Sequence, residues 1–274
     1  MATPEVIDVH IHLARDTAQE KVVFPKSGYP DEWFWANPEK IIPYMDREDL
    51  SHIFVINYMD TNRMTDTRLS RIRNMSDAQL QEAREQIRIE MVDRVKKFND
   101  WVCGLGQEQP RLVPFPCIDI GLFHDEQSMM EELEEKIKMG AKGVKIHPGL
   151  SRFLPSDQRM SPLYDRLQQV GIPILSDSGA AGGLHDGTVY GEPVNFAPVF
   201  RDFPKLRFIM AHLCSAFWDE RLEIAKEFPE VYFDTAGGFY SNNFHARDGH
   251  RACPLQDATR FLRKIGIDRV LFAS

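Results

Sequence analysis

The stretch VIDVHIHL, residues 6–13, places His10 and His12 one residue apart at the end of an apolar run rich in β-branched residues. Such a run predicts a buried strand. Strand side chains alternate faces, so Asp8, His10 and His12 are expected on one face and Ile7, Val9 and Ile11 on the other. Two neutral imidazoles at that spacing can each give a ring nitrogen to one divalent cation, at distances near ~2.1 Å. A cation held there can lower the pKa of a water to roughly 7, which is hydrolytic chemistry. The same pair also has a plain structural reading, two strand-end histidines bonded to backbone or water, and the rest of the chain must decide between them.

The elements that follow supply the context. Pro38 to Asp49 reads as a helix and His52 to Tyr58 as a strand; Tyr58 to Met75 is polar and irregular. From Asp77 to Trp101, Leu80, Ala83, Ile87, Met91, Val95 and Phe98 recur at three and four, one face of a long helix with Ser76 as its N-cap. Arg111 to Ile120 is expected as a strand despite its prolines. A helix carrying Met129, Met130, Leu133 and Ile137 follows, closed by Gly140, and then a strand at 141–149. The alternation in that strand puts Lys145 and His147 on one face and Val144 and Ile146 on the other. The remainder alternates helix and strand: helices 162–170, 194–202, 217–227 and 255–265, strands 171–179, 206–212, 231–237 and 269–274. Eight strands mostly followed by helices predict an α/β fold of the (β/α)8 TIM-barrel type, lacking a C-terminal helix in the sequence as given. An open doubly wound sheet would show a Gly-rich first turn, and this first turn is His-rich. One domain spanning 1–274 is expected, with a Pro-, Gly- and aromatic-rich loop insertion at about 14–38, read either as a lid or as a satellite core.

Composition narrows the function classes. Thirty-three Lys and Arg against 41 Asp and Glu leave a formal charge of −8, which argues against nucleic acid or an anionic membrane surface as the partner. No apolar run reaches membrane-spanning length and the N-terminus carries no export pattern, so a cytoplasmic protein is expected. Cys103, Cys117, Cys214 and Cys253 are far apart with no CxxC, which reads as reduced structural thiols. The expected partner is a small-molecule substrate; a homodimer is left open.

In a barrel of this type the strand C-termini converge on one mouth. Reading those ends in order gives His10, His12, Tyr58, Asp119, His147, Asp177, His212 and Asp234. Several are metal-ligand types. With IDVHIHL, GVKIHP, IPILSDSG, FIMAHLC and RVLFAS in this order, the chain resembles the amidohydrolase superfamily, in its branch of aminocarboxymuconate-semialdehyde decarboxylase-like metal-dependent hydrolases. The resemblance implies that His10 and His12 are metal ligands and that His212 activates water or polarises the substrate. It departs at the fifth strand, where the family usually supplies a histidine and this chain has Asp177. It also implies an aspartate directly after the last strand, and the sequence stops at Ser274 just before it, so the native chain is expected to continue.

Asp177 can serve as the third ligand and take part in catalysis, giving two histidines and a carboxylate. Zinc is the first expectation for that set, with Mn or Fe(II) as harder alternatives. Lys145, a buried amine paired with a carboxylate, and His147 are expected near the substrate. Arg63 and the cluster His245, Arg247, His250 and Arg251 are the candidates for holding an anion. The expected activity is hydrolysis of a small carboxylated substrate by metal-activated water. Non-oxidative decarboxylation by the same site is the second reading, and a non-catalytic barrel acting as a binding module is the third.

Overall fold

A computed structural model of the chain describes residues 5–23, 36–72, 75–179, 186–213, 217–236, 259 and 262–274. Strands β1 (Val6–Ile11), β2 (Leu50–Val55) and β3 (Leu112–Pro114) pair in that order, and β4 (Val144–Ile146), β5 (Ile174–Ser176), β6 (Phe208–Met210), β7 (Val231–Asp234) and β8 (Val270–Leu271) pair in a second run. All of these pairings are parallel. Two seams close the ring. On one side Ile118 N–H donates to the Lys145 carbonyl at 3.0 Å and Lys145 N–H to the Pro116 carbonyl at 2.9 Å; on the other, Val9 N–H donates to the Phe272 carbonyl at 3.0 Å. The result is the (β/α)8 barrel.

Ten helices are described around it: α1 (Thr17–Val23), α2 (Pro38–Arg47), α3 (Thr61–Leu69), α4 (Asp77–Glu108), α5 (Ile120–Phe123), α6 (Glu126–Lys138), α7 (Pro148–Ser151), α8 (Ser161–Val170), α9 (Ala197–Asp202) and α10 (Trp218–Glu227). The strands' outer faces carry Ile53, Val55, Val144, Ile146, Phe208 and Phe233, buried against helix residues such as Ile41, Met45, Val95 and Leu163. Their inner faces fill the lumen with Phe54, Phe115, Leu175, Ile209 and Leu271. Each fully buried Leu, Ile or Phe contributes about 1.5–3 kcal/mol of transfer free energy, so this plug is a packed floor beneath the mouth.

The first strand departs from simple alternation at the point that matters most. Ile7 and Val9 pack into the lumen with Phe54 and Ala273, whereas Ile11 faces outward onto Ile41 and Met45. In the pairing of β1 with β2, Asp8 sits opposite Ile53 and Ile11 opposite Val55, three steps on β1 against two on β2. That extra residue is a β-bulge, which breaks the pleat and re-aims one side chain. His10 is the residue re-aimed, and its N–H donates to Asp8 Oδ1 at 3.0 Å. The expected common face of Asp8, His10 and His12 is therefore corrected: the Asp8 carboxylate instead accepts from the Ser274 N–H at 3.2 Å and hydroxyl at 2.5 Å.

Other boundaries differ for local reasons. The loop expected at 14–38 contains α1, whose Glu20 accepts from Ala36 N–H and Asn37 Nδ2 and ties the segment's two described ends together. The polar stretch 58–75 contains α3, N-capped by Asp60 through Arg63 N–H at 2.9 Å; with only Thr61 buried, it shows no apolar stripe to read. The strand expected over 111–120 pairs regularly only at 112–114. Beyond it, Asn99 of α4 takes the place of a neighbouring strand, accepting from Cys117 N–H at 2.9 Å and donating to its carbonyl at 3.0 Å. α4 begins at the expected Ser76 cap, in a reciprocal box with Gln79, and runs to Glu108.

Candidate active site

The bulge in β1 delivers His10 to the mouth, where Asp234 from the end of β7 receives it: His10 Nδ1 lies 2.7 Å from Asp234 Oδ2. Asp234 is fully committed. Its Oδ1 accepts from the N–H of His212 at 2.9 Å and of Ala236 at 3.1 Å. Burial opposes its ionisation, but His10 and His212 beside it outweigh burial and hold its pKa below the usual carboxylate range. Burial also pushes His10 down to about 4, so the ring is neutral near pH 7, with its Nδ1 hydrogen given to Asp234 and Nε2 left with a lone pair. A carboxylate fixing the far nitrogen of a histidine is the usual support of a metal-binding imidazole.

His212, two residues past β6, has a left-handed backbone with φ of 64°. That conformation costs a non-glycine residue on the order of 1–2 kcal/mol. It is held there at both ends, by the N–H bond to Asp234 and by Nδ1 lying 2.9 Å from the Ala236 carbonyl. The second contact makes Nδ1 the protonated nitrogen and turns Nε2 toward Asp177 Oδ2, 3.2 Å away. Burial disfavours a charged His212, yet Asp177 overrides it and raises the pKa.

Asp177 follows β5 and is 2% exposed, a burial that would raise its pKa if His147, His212 and Lys145 did not together hold it well below the normal range. Its Oδ1 has no hydrogen-bond partner among the described residues. A buried bare carboxylate oxygen is costly and marks a missing partner, a cation or water. The 3.2 Å between His212 Nε2 and Asp177 Oδ2 suits an ion pair. That pair occupies Oδ2 and leaves the bare Oδ1 for a cation, alongside the neutral imidazoles of His10 and His12. The donor set therefore fits a divalent cation.

The remaining sequence candidates divide into three groups. His12 stands beside the centre, its ring centroid 5.4 Å from that of His10, and burial lowers its pKa. His10 and His212 are closer, with centroids 4.8 Å apart, and among the described residues the three ligand atoms lying within 4.8 Å of one another belong to His10, His212 and Asp234. Lys145 is buried on the lumen side of β4, where burial lowers its pKa against the pull of Asp177 and Asp234. His147 Nε2 faces Asp177 Oδ2 at 3.6 Å. Arg63 is brought to no member of this group: it lies on exposed α3, 3.6 Å from Asp60. His245, Arg247, His250 and Arg251 lie outside the described residues, as does most of the expected lid. Asp234 stands among the strand-end residues in sequence, but its role as orienter of both His10 and His212 becomes visible only when β7 is set beside β6 and β1.

Comparison with known proteins agrees with the barrel fold. The family model described as amidohydrolase matches residues 7–274. A TIM-barrel protein of Bordetella bronchiseptica has a similar fold at a TM-score of 0.67 and 17% identity, covering 99% of this chain and 85% of that one. A 2,6-dihydroxybenzoate decarboxylase bound to 2,6-dihydroxybenzoate is similar at a TM-score of 0.61 and 13% identity, covering 100% and 88%. A 4-oxalomesaconate hydratase of Rhodopseudomonas palustris is similar at a TM-score of 0.57 and 17% identity, covering 98% and 81%. No curated protein matches the sequence. Among the described residues, no helix is long and apolar enough to cross a membrane.

Proposed function

Because the chain belongs to the amidohydrolase family, we propose that the mouth is a divalent-metal centre that hydrolyses a small carboxylated substrate. The observation that carries the reading is the meeting of neutral His10, His212 and the half-bare carboxylate of Asp177 at one end of the lumen. In this reading His10, His12 and Asp177 hold the cation, zinc before Mn or Fe(II). When bound, it supplies Lewis acidity, which polarises a substrate carbonyl and acidifies water.

The chain's own residues do the rest. Asp234 keeps the hydrogen of His10 on Nδ1, so that Nε2 stays available as a donor atom. His212, its Nδ1 tied to the Ala236 carbonyl, presents Nε2 beside Asp177 and moves the proton of the attacking water to the leaving group. Lys145, buried in the lumen with its pKa lowered by burial, is coupled electrostatically to Asp177 and Asp234. The phenylalanine- and leucine-lined floor closes the site from below, which keeps the mouth's electrostatics from being screened by water. The anion-binding role of Arg247, Arg251, His245 and His250 belongs to this proposal, as does the carboxylated nature of the substrate.

Lyase chemistry is the second reading, favoured by the decarboxylase and hydratase among the proteins of similar fold. The raised proton affinity of His212 suits it equally, since an imidazolium can protonate the carbon left by departing carbon dioxide. A panel of small carboxylated amides, esters, lactones and aromatic acids, assayed with and without added Zn or Mn, tests both. Water consumption without carbon dioxide release supports hydrolysis, and carbon dioxide release supports the lyase. Metal-independent turnover overturns the metal-centre reading, and no metal uptake with no turnover leaves the barrel as a binding module.

A further inference from the structure

Three side chains that the proposed chemistry leaves unused stand behind His147. Asp119 caps α5 by accepting from Leu122 N–H at 3.0 Å, and it also accepts from the Ser151 hydroxyl at 2.6 Å and from the backbone N–H of His147 at 3.2 Å. With its hydrogen given to Asp119, the Ser151 oxygen accepts from the Tyr58 hydroxyl. The Tyr58 ring in turn lies against the His147 imidazole, centroids 5.0 Å apart. Residues following β2, β3 and β4 thus grip one histidine by its backbone and by its ring face.

The imidazole's orientation is fixed from a third side. Leu150 N–H donates to His147 Nδ1 at 3.3 Å, which makes Nδ1 the acceptor and leaves the hydrogen on Nε2. That Nε2–H faces Asp177 Oδ2 at 3.6 Å, while Oδ1 of the same carboxylate has no hydrogen-bond partner among the described residues. At this separation the contact is longer than a formed hydrogen bond and acts as a fixed dipole beside a charge.

We infer that His147 is a positioning residue for Asp177: gripped by Asp119, Ser151 and Tyr58, it turns the carboxylate so that its bare oxygen faces the cation. The inference rests on the metal-centre reading above and deepens it. It addresses Asp177, the carboxylate at the end of β5 whose Oδ1 has no partner among the described residues. A carboxylate can turn about its last bond, so a ligand of this kind needs an external support. Groups that orient a metal ligand in this way change metal affinity by roughly 10- to 100-fold when removed.

Because His147 also caps α7, the test must separate capping from positioning. Asparagine is a good N-cap and can accept from Leu150 N–H, but it is too short to present an N–H to Asp177. The experiment compares wild type, His147→Asn and His147→Leu by chelator competition for Zn, by the visible spectrum of the Co(II)-loaded protein, and by thermal melting without metal. The expected result for His147→Asn is a wild-type melting temperature with a roughly 10- to 100-fold loss of Zn affinity and an altered Co(II) spectrum. His147→Leu loses affinity to a similar extent and melts lower. Wild-type affinity and an unchanged spectrum in His147→Asn overturn the inference alone, because a capping role would leave both intact. Absence of Zn or Co(II) uptake by wild type overturns the metal-centre reading and the inference together. If His147→Leu does not fold, His147→Asn decides the question by itself.

Discussion

Replacing Asp234 with asparagine exchanges one carboxylate oxygen for an NH2 group and removes the charge with very little change of shape, and its consequences can be worked through the site. Oδ1 of the new amide still accepts from the N–H groups of His212 and Ala236, so the strained backbone of His212 stays supported. The amide nitrogen, however, takes the place of Oδ2 and points a donor at His10 Nδ1, formerly 2.7 Å from an acceptor. His10 must then offer a lone pair at Nδ1 and carry its hydrogen on Nε2, the nitrogen needed by the cation. Loss of an orienting carboxylate costs about 10- to 100-fold in metal affinity, equivalent to about 1.4–2.8 kcal/mol. In the metal-free protein, a bond to a charged group worth about 1.5–3 kcal/mol becomes a neutral one worth about 0.5–1.5, so stability falls by about 1–2 kcal/mol. Chelator competition with Zn and urea unfolding of the metal-free form measure the two effects separately. An Asp234→Asn variant with undiminished Zn affinity would refute the tautomer argument, whatever its stability.

Further consequences follow from the same contacts. His12→Ala should abolish metal retention while the barrel stays folded, whereas His212→Ala should keep the metal and lose turnover; elemental analysis of both variants checks the division of roles. The metal-free protein should lose stability as pH falls. His10 and His147 are both depressed by burial to about 4, so the unfolded chain takes up protons first, and stability that is full above about pH 6.5 declines between pH 6.5 and 4. His212 has the opposite sign, its contribution being lost as pH rises through its raised value. Melting temperature against pH, compared between wild type and His10→Gln, should show a shallower acid limb in the variant. Asn99→Ala should destabilise by roughly 2–4 kcal/mol, since it strips partners from the Cys117 N–H and carbonyl and from Glu132. Gly143→Ala would place a methyl 1.9 Å from the Phe115 ring and should cost about 1–3 kcal/mol by displacing that lumen side chain. Denaturant midpoints check both.

The barrel was legible in the sequence because its strands are short apolar runs at regular intervals, and the alternation in β4 correctly separates lumen-facing Lys145 from outward Val144 and Ile146. Short helices were not legible where burial is slight. α3 hides its single buried residue, Thr61, in a polar stretch, and the Asp60 cap is its only local signal. The bulge in β1 is invisible to any period-two reading because it is set by register against β2 and by the Asp8 carboxylate accepting from His10 N–H. Asp177 was readable as a substituted position at the end of the fifth strand. The two supports that give the site its directionality, Asp234 for His10 and His147 for Asp177, join residues far apart in the chain and exist only once the ring is closed.

The central claim is that the strand ends converge on one divalent cation held by His10, His12 and Asp177. Anomalous scattering from crystals of the Zn-loaded protein addresses it directly. The account predicts one strong peak per chain, within about 2.0–2.3 Å of a His10 nitrogen, a His12 nitrogen and an Asp177 oxygen. A map with no peak at the mouth, or one bound by other residues with Asp177 still paired only to His212 and His147, would contradict it.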